Sequence, residues 1–174
     1  NPRARLVAMA AGHAAMDLLL NAFPPLLPYL VREAGLSLAA AAGLITAKSL
    51  SSGLLQPVFG WWLDRGARAG LVPLALVWTG ALVAAVGFVS VYGVLLVLAF
   101  LAGLGGALFH PLAALLVADG AGHANARRMA IFSLGGVVGF TLAPPVVVGA
   151  TAWWGPRGLL VLLGLALGAA AWVA

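Results

Sequence analysis

Runs of apolar sequence long enough to cross a bilayer, with almost no charge inside them, leave this chain few places to fold except a membrane. Between Leu71 and Ala118 there is no Asp, Glu, Lys or Arg, and about 20 apolar residues suffice for one helical crossing. In hydrocarbon every backbone N–H and C=O must be paired within the protein, which admits helices or closed barrels. The runs are too long for barrel strands and lack the alternation that a barrel requires. The expected fold is therefore an all-α integral membrane protein. Composition agrees: 64% of residues are hydrophobic and 7% charged, with a mean hydropathy of +1.12, whereas a soluble domain carries roughly a quarter charged residues.

Six spans are expected: Leu6 to Val31, bent at its far end by Pro24, Pro25 and Pro28; Leu38 to Trp62; Leu71 to Val89; a fourth ending near Ala118; a fifth after Arg127-Arg128, ending near Ala150; and a sixth after Trp153-Trp154-Gly155-Pro156. Six crossings place both termini on one side. That side then holds Arg3, Arg5, Arg65, Arg68, Arg127 and Arg128, against Arg32 and Arg157 opposite. The excess of arginine predicts that both termini are cytoplasmic. The formal charge of +5 is not a nucleic-acid signal, because the basic residues stand singly or in pairs beside apolar runs rather than in a stripe. With no cysteine, disulfides and thiolate metal sites are excluded. The chain opens on Asn1-Pro2 and closes inside an apolar run at Ala171–Ala174, so a piece of a longer protein is expected.

Residues 1–174 are expected to form one six-helix half-domain with an internal repeat, 1–91 and 92–174. Trp61-Trp62-x-x-Arg65-Gly66 recurs as Trp153-Trp154-x-x-Arg157-Gly158 after the second and fifth spans. An offset of three spans inverts the second copy in the membrane, the 3+3 arrangement of transporter inverted repeats. Paired Trp beside Arg also marks membrane interfaces generally.

Ionisable residues inside the spans are the candidates for function, because a charge at the bilayer centre costs roughly 2.5–3.5 kcal/mol on insertion scales. His13, Asp17 and Asn21 recur every fourth residue on the first span, and Lys48, Ser52, Gln56 and Gly60 do the same on the second, so each set forms one helical stripe. Asp17 lies about 16 Å from Leu6 and Lys48 about 15 Å from Leu38, which puts both near the midplane of a ~30 Å core and predicts an ion pair. The same arithmetic puts His13 one turn nearer the cytoplasm and His110 nearer still, about 10 Å from Asp17 along the normal. That order reads as a proton ladder. Asn21, Ser52 and Gln56 are substrate-cavity candidates. Gly103 and Gly106 on the fourth span, and Gly135 and Gly139 on the fifth, are expected to bring backbones together, while Pro111 and Pro144 supply a fixed kink or a hinge.

The hairpin Gly60-Trp61-Trp62-Leu63-Asp64-Arg65-Gly66-Ala67-Arg68 resembles the loop motif of the major facilitator superfamily, with Gly60, Asp64, Arg65 and Arg68 matching in spacing and Ala67 and Ala69 departing from it. Within that superfamily, Gly12-His13 with Asp17, and Gly103-Leu104-Gly105-Gly106-Ala107-Leu108-Phe109-His110-Pro111, resemble the fosmidomycin-resistance group of drug exporters. Phe132-Ser133-Leu134-Gly135-Gly136-x-x-Gly139 followed by Ala143-Pro144 is similar to that group's fifth helix and to the glycine-proline motif of antiporters. Leu112 stands where the group has an acid, Ala143 replaces a glycine, and Ala99 replaces an arginine of many proton-coupled members.

The resemblance implies the amino-terminal six-helix half of a secondary active transporter in the inner (plasma) membrane, not an enzyme, exporting small amphipathic compounds in exchange for protons. Asp17 would bind the proton, Lys48 would set its affinity, and His13 and His110 would pass it on, with Gly60, Asp64, Arg65 and Arg68 serving conformational change. The expected partners are the lipid bilayer, a small-molecule substrate, protons and a second six-helix half, in the same chain or a homodimer; no cofactor, metal or nucleic acid is implied. Two rival readings are a non-transporting module that oligomerises through its glycine faces, and an intramembrane metal-dependent hydrolase built on His13, Asp17 and His110, since two imidazoles and a carboxylate suit zinc.

Overall fold

The computed structural model describes residues 2–66, 68–119 and 122–174. Asn1, Ala67 of the hairpin, and Gly120 and Ala121 of the Asp119 loop lie outside them. The described residues form seven α-helices: α1 (Pro2–Leu20), α2 (Phe23–Glu33), α3 (Leu38–Leu63), α4 (Leu71–Ala85), α5 (Tyr92–Ala118), α6 (Asn125–Trp154) and α7 (Leu160–Val173). Short 3₁₀ turns follow α4 and precede α6 and α7, and no strand occurs among the described residues.

Local chemistry accounts for most boundaries. The first span divides at Asn21-Ala22, just before the prolines rather than at them. Pro24 and Pro25 occupy the first turn of α2, where a missing N–H costs nothing. They cannot donate to Leu20 and Asn21, so helical pairing lapses there. Asn21 stitches the break: its Nδ2 donates to the Asp17 carbonyl at 2.8 Å, as does its backbone N–H at 3.0 Å. At the start of α3 the Ser37 hydroxyl accepts from the Ala40 N–H at 3.1 Å, satisfying one of the orphan donors of a helix start.

Among the described residues, five helical stretches are long and apolar enough to cross a membrane: Arg3–Glu33, Leu38–Leu63, Leu71–Phe88, Tyr92–Ala118 and Gly122–Val173. The expected fifth and sixth spans thus run together as one 52-residue stretch, because 3₁₀ hydrogen bonding continues through the turn after Trp154 instead of lapsing into a loop. Gly155 makes that turn at φ 57°, a left-handed conformation open to glycine at little cost.

The helices pair α3 with α5, α1 with α6, and α4 with α7. Without a hydrophobic drive between helices in lipid, close backbone contact has to come from small residues. A methyl group on Gly103 would strike the Lys48 carbonyl and the Ser51 hydroxyl, and methyls on Gly135 and Gly139 would strike the Ala10 and Ala14 carbonyls. Gly106 faces the Leu20 side chain. Pro111 lies inside α5 and Pro144 inside α6, both of which continue through them. The exterior is apolar: Leu54, Leu134 and Phe140 are each more than 60% exposed. Ser51 and Thr79 are the buried polar side chains among the described residues, and each hydroxyl donates to a backbone carbonyl.

Candidate functional site

Three ionisable side chains meet between α1, α5 and α6. His110 Nε2 lies 2.9 Å from Asp17 Oδ1, and His13 Nε2 lies 3.4 Å from Asp17 Oδ2. The two imidazoles stand edge to face with centroids 5.3 Å apart. All three groups are partly buried, 12–23% exposed in their side chains.

The backbone decides what these rings can do. His13 Nδ1 lies 2.9 Å from the Phe132 carbonyl, and His110 Nδ1 lies 2.7 Å from the Gly106 carbonyl. A carbonyl only accepts, so each Nδ1 carries hydrogen and donates. In the neutral ring Nε2 is then a bare lone pair, aimed at a carboxylate that also has only lone pairs. A 2.9 Å approach between them requires a proton in the gap, on Asp17 or on His110 Nε2. The 3.4 Å contact to His13 is too long for a good hydrogen bond and requires none. One shared proton fits this geometry, and a second would complete the His13 side.

Packing holds the arrangement in register. Phe132 stacks on His13 at 4.2 Å and 20° between planes, and Phe109 meets His110 edge-on at 5.7 Å. Gly136 leaves the room: a methyl there would sit 2.6 Å from Asp17 Oδ2 and 2.7 Å from His13 Nε2. Phe132 and Gly136 belong to the fifth-helix segment singled out in the sequence, but their contact with the triad follows from α1 packing on α6. The Gly106 carbonyl carried no side-chain signal at all.

Two expectations are corrected. Asp17 and Lys48 form no ion pair, and both carboxylate oxygens face histidine instead. Depth arithmetic compared heights, but α1 lies against α6 while α3 lies against α5, so equal height did not make Lys48 a neighbour. Lys48 stays within electrostatic reach of Asp17. Nor are His13 and His110 successive rungs of a ladder, since they grip the same carboxylate. The supposed 10 Å offset assumed upright helices starting at one plane; α5 and α6, with 27 and 30 residues, are about 41 and 45 Å long and must tilt or overhang a ~30 Å core.

The remaining candidates fall elsewhere. Asn21 is used by the Asp17 carbonyl, and Ser52 and Gln56 are partly buried on α3. Gly60 and Asp64 line a cavity of about 660 Å³ together with Pro111, Asn125 and Met129. Arg65 folds back, its Nη1 donating to the Trp61 carbonyl at 2.9 Å and its guanidinium lying 3.4 Å from the Trp61 ring centroid. Arg68 is exposed, and its carbonyl accepts from the Leu71 N–H at 2.9 Å. The ligating atoms of His13, Asp17 and His110 also lie within 4.8 Å of one another, a donor set that a divalent cation accepts.

An apolar helical bundle with a charged, backbone-anchored centre defines a polytopic membrane protein of the transporter class. Residues 9–174 match the Major Facilitator Superfamily, and the chain belongs to that family of transporters, which are not enzymes; the hydrolase reading falls with this. The chain is 27% identical over 169 residues to the fosmidomycin resistance protein of Escherichia coli (strain K12), covering 92% of this chain and 42% of that protein. It is also 27% identical over 139 residues to the uncharacterized MFS-type transporter YfnC of Bacillus subtilis (strain 168), covering 80% of this chain and 34% of that protein. The chain therefore spans less than half the length of these relatives.

Proposed function

We propose that this chain is the amino-terminal six-crossing half of a proton-coupled exporter, an antiporter of small amphipathic compounds, in which Asp17, His13 and His110 form the proton site. The observation that carries the reading is the single carboxylate facing two imidazoles whose Nδ1–H groups are already committed to backbone carbonyls. Such a cluster can exist with one proton or two, and the two states differ by a full charge in a low-dielectric setting where that difference is costly to ignore. A change in charge that large can bias the balance between inward- and outward-facing forms, as coupling requires. Lys48, on the second span, belongs to the same proposed proton-coupling set.

The topology proposed alongside is six crossings with both termini cytoplasmic. A straight 52-residue helix would be about 78 Å long, more than twice a ~30 Å core, and Gly158 packs back on the Ala150 carbonyl, which supports a reversal after Trp154. The 3+3 repeat is supported by helix neighbours: exchanging the first three spans for the last three turns the α1–α6 pair into the α5–α3 pair and leaves α4–α7 unchanged. A second six-helix half, in the same polypeptide or a second copy, would complete the pathway, and the greater length of the relatives favours the first. Asp64 and Gly60, on the wall of the 660 Å³ cavity, would act in the conformational change, with Arg65 and Arg68 beside them.

The test is transport by the whole protein in proteoliposomes, with fosmidomycin as the first compound because of the relative's name. Asp17→Asn keeps a donor and an acceptor, mimics the singly protonated cluster and removes the carboxylate that would hold the second proton. The expected result is loss of pH-driven transport with substrate exchange at equal pH retained. Full pH-driven transport by this variant would refute the proton site. Failure of the wild-type protein to move any compound would favour the oligomerising module.

A further inference from the structure

Three arginines, Arg3 on α1 and Arg127 and Arg128 on α6, line one pocket of about 320 Å³ with Leu6, Val7 and Ile131. Arg128 is already held in place, its Nη1 donating to the Asp119 carbonyl at 3.1 Å, and a guanidinium has further N–H groups to offer. Among the described residues that line the pocket, none is acidic. Both helices begin here, so their positive dipole ends add to the arginine field. The pocket therefore attracts an anion at one membrane face.

The floor of the site says what kind of anion. Arg3, Val7, Ala11, Ala14 and Leu18 recur at helical spacing along one face of α1, and the lower part of that face opens into a second groove of about 360 Å³. This groove is lined by Ala11, Ala14, Leu18 and Gly139, and on α7 by Gly164 and Gly168. Small residues make it a channel rather than a ridge, and a Cβ on Gly164 or Gly168 would meet nothing within 4 Å. Along α1 the groove runs from Ala11 to Leu18, about 10 Å, within the depth of one leaflet of a ~30 Å core. A charged head pocket with an apolar slot further along the same face of α1 has the polarity of one lipid, a headgroup above and a stretch of acyl chain below.

We propose that the face between α1, α6 and α7 binds an anionic phospholipid, its phosphate among Arg3, Arg127 and Arg128 and an acyl chain in the slot floored by Gly164 and Gly168. Basic pockets between helices take anionic headgroups, and the slot distinguishes a lipid from a free anion. The inference rests on the chain being embedded in a membrane and not on proton coupling, so the two can fail separately.

The experiment is lipid binding to the whole protein in neutral detergent, read by native mass spectrometry and by melting temperature. The probes are phosphatidylglycerol, phosphatidylcholine of the same chain length, dihexanoyl phosphatidylglycerol and inorganic phosphate. Phosphatidylglycerol is expected to bind in preference to phosphatidylcholine, and inorganic phosphate not to reproduce its effect. Replacing both Arg127 and Arg128 with Ala should cut that preference roughly thirtyfold, while replacing both with Lys should keep most of it. Gly168→Leu should weaken the long-chain lipid and spare the dihexanoyl form. Equal binding of phosphatidylcholine, or a preference untouched by the alanine pair, would overturn the headgroup site. Phosphate alone giving the whole effect would reduce it to a free-anion site, Gly168→Leu without consequence would remove the slot, and no lipid effect at all would mean that another protein surface covers this face.

Discussion

The triad inside the bundle and the hairpin after α3 are both built from an aspartate and basic groups, and they use them in opposite ways. In the hairpin, Asp64 caps the end of α3 in the open and Arg65 lies flat on Trp61, an arrangement that water can replace at little cost. In the triad, each imidazole spends one nitrogen on a carbonyl and turns the other to Asp17. Burial makes the difference. A charge in water needs no particular partner, whereas a charge in an apolar bundle survives only where the backbone has oriented its partners in advance.

That contrast can be broken or sharpened by substitution. The largest effect is expected from Asp17→Asn, with pH-driven transport falling to background while the protein remains folded, read in the proteoliposome assay with melting temperature as control. Next comes Gly136→Ala: its methyl would intrude at 2.6–2.7 Å on Asp17 Oδ2 and His13 Nε2, and overpacking of this kind costs about 1–3 kcal/mol. A lowered melting temperature together with impaired coupling is the expected reading; unchanged behaviour in both would show that the triad is looser than drawn.

The two histidines should then separate. A charge-assisted hydrogen bond contributes about 1.5–3 kcal/mol, so His110→Gln, which removes the 2.9 Å contact, should slow coupled transport roughly 10- to 100-fold. His13→Gln, at 3.4 Å, should do less; the reverse order in a side-by-side rate measurement would refute the assignment of the shared proton to the His110 side. The smallest effect belongs to the hairpin. Arg65→Ala should lower stability by at most about 1 kcal/mol, the usual value of an exposed cation–π contact, measured as a small melting shift.

How far the sequence could be read depended on the range of the force involved. Hydrophobic run length and turn chemistry act locally, so the expected spans coincide with helix limits to within a few residues at Leu38, Leu71 and Ala118. Two local details were still missed. The break at Asn21 depended on carbonyls four residues upstream of Pro24 and Pro25, and the turn at Gly155 kept its hydrogen bonding through 3₁₀ pairing, joining two expected spans into one stretch. At the site, Asp17, His13 and His110 stood out in the sequence because a polar group in an apolar helix is conspicuous in any context, and the structure brings the three together. Lys48 was equally conspicuous and was assigned the wrong partner.

By itself, then, the sequence determined that this chain lives in a bilayer, about where it crosses, and which few side chains needed an explanation for being there. Only the tertiary structure decided who meets whom. The glycine faces of α5 and α6 set which helices lie side by side, and the Phe132 and Gly106 carbonyls set which way each imidazole points. Cost of burial is a property of a residue in its medium and can be read one position at a time; partnership is a property of distances between helices, which no single position encodes.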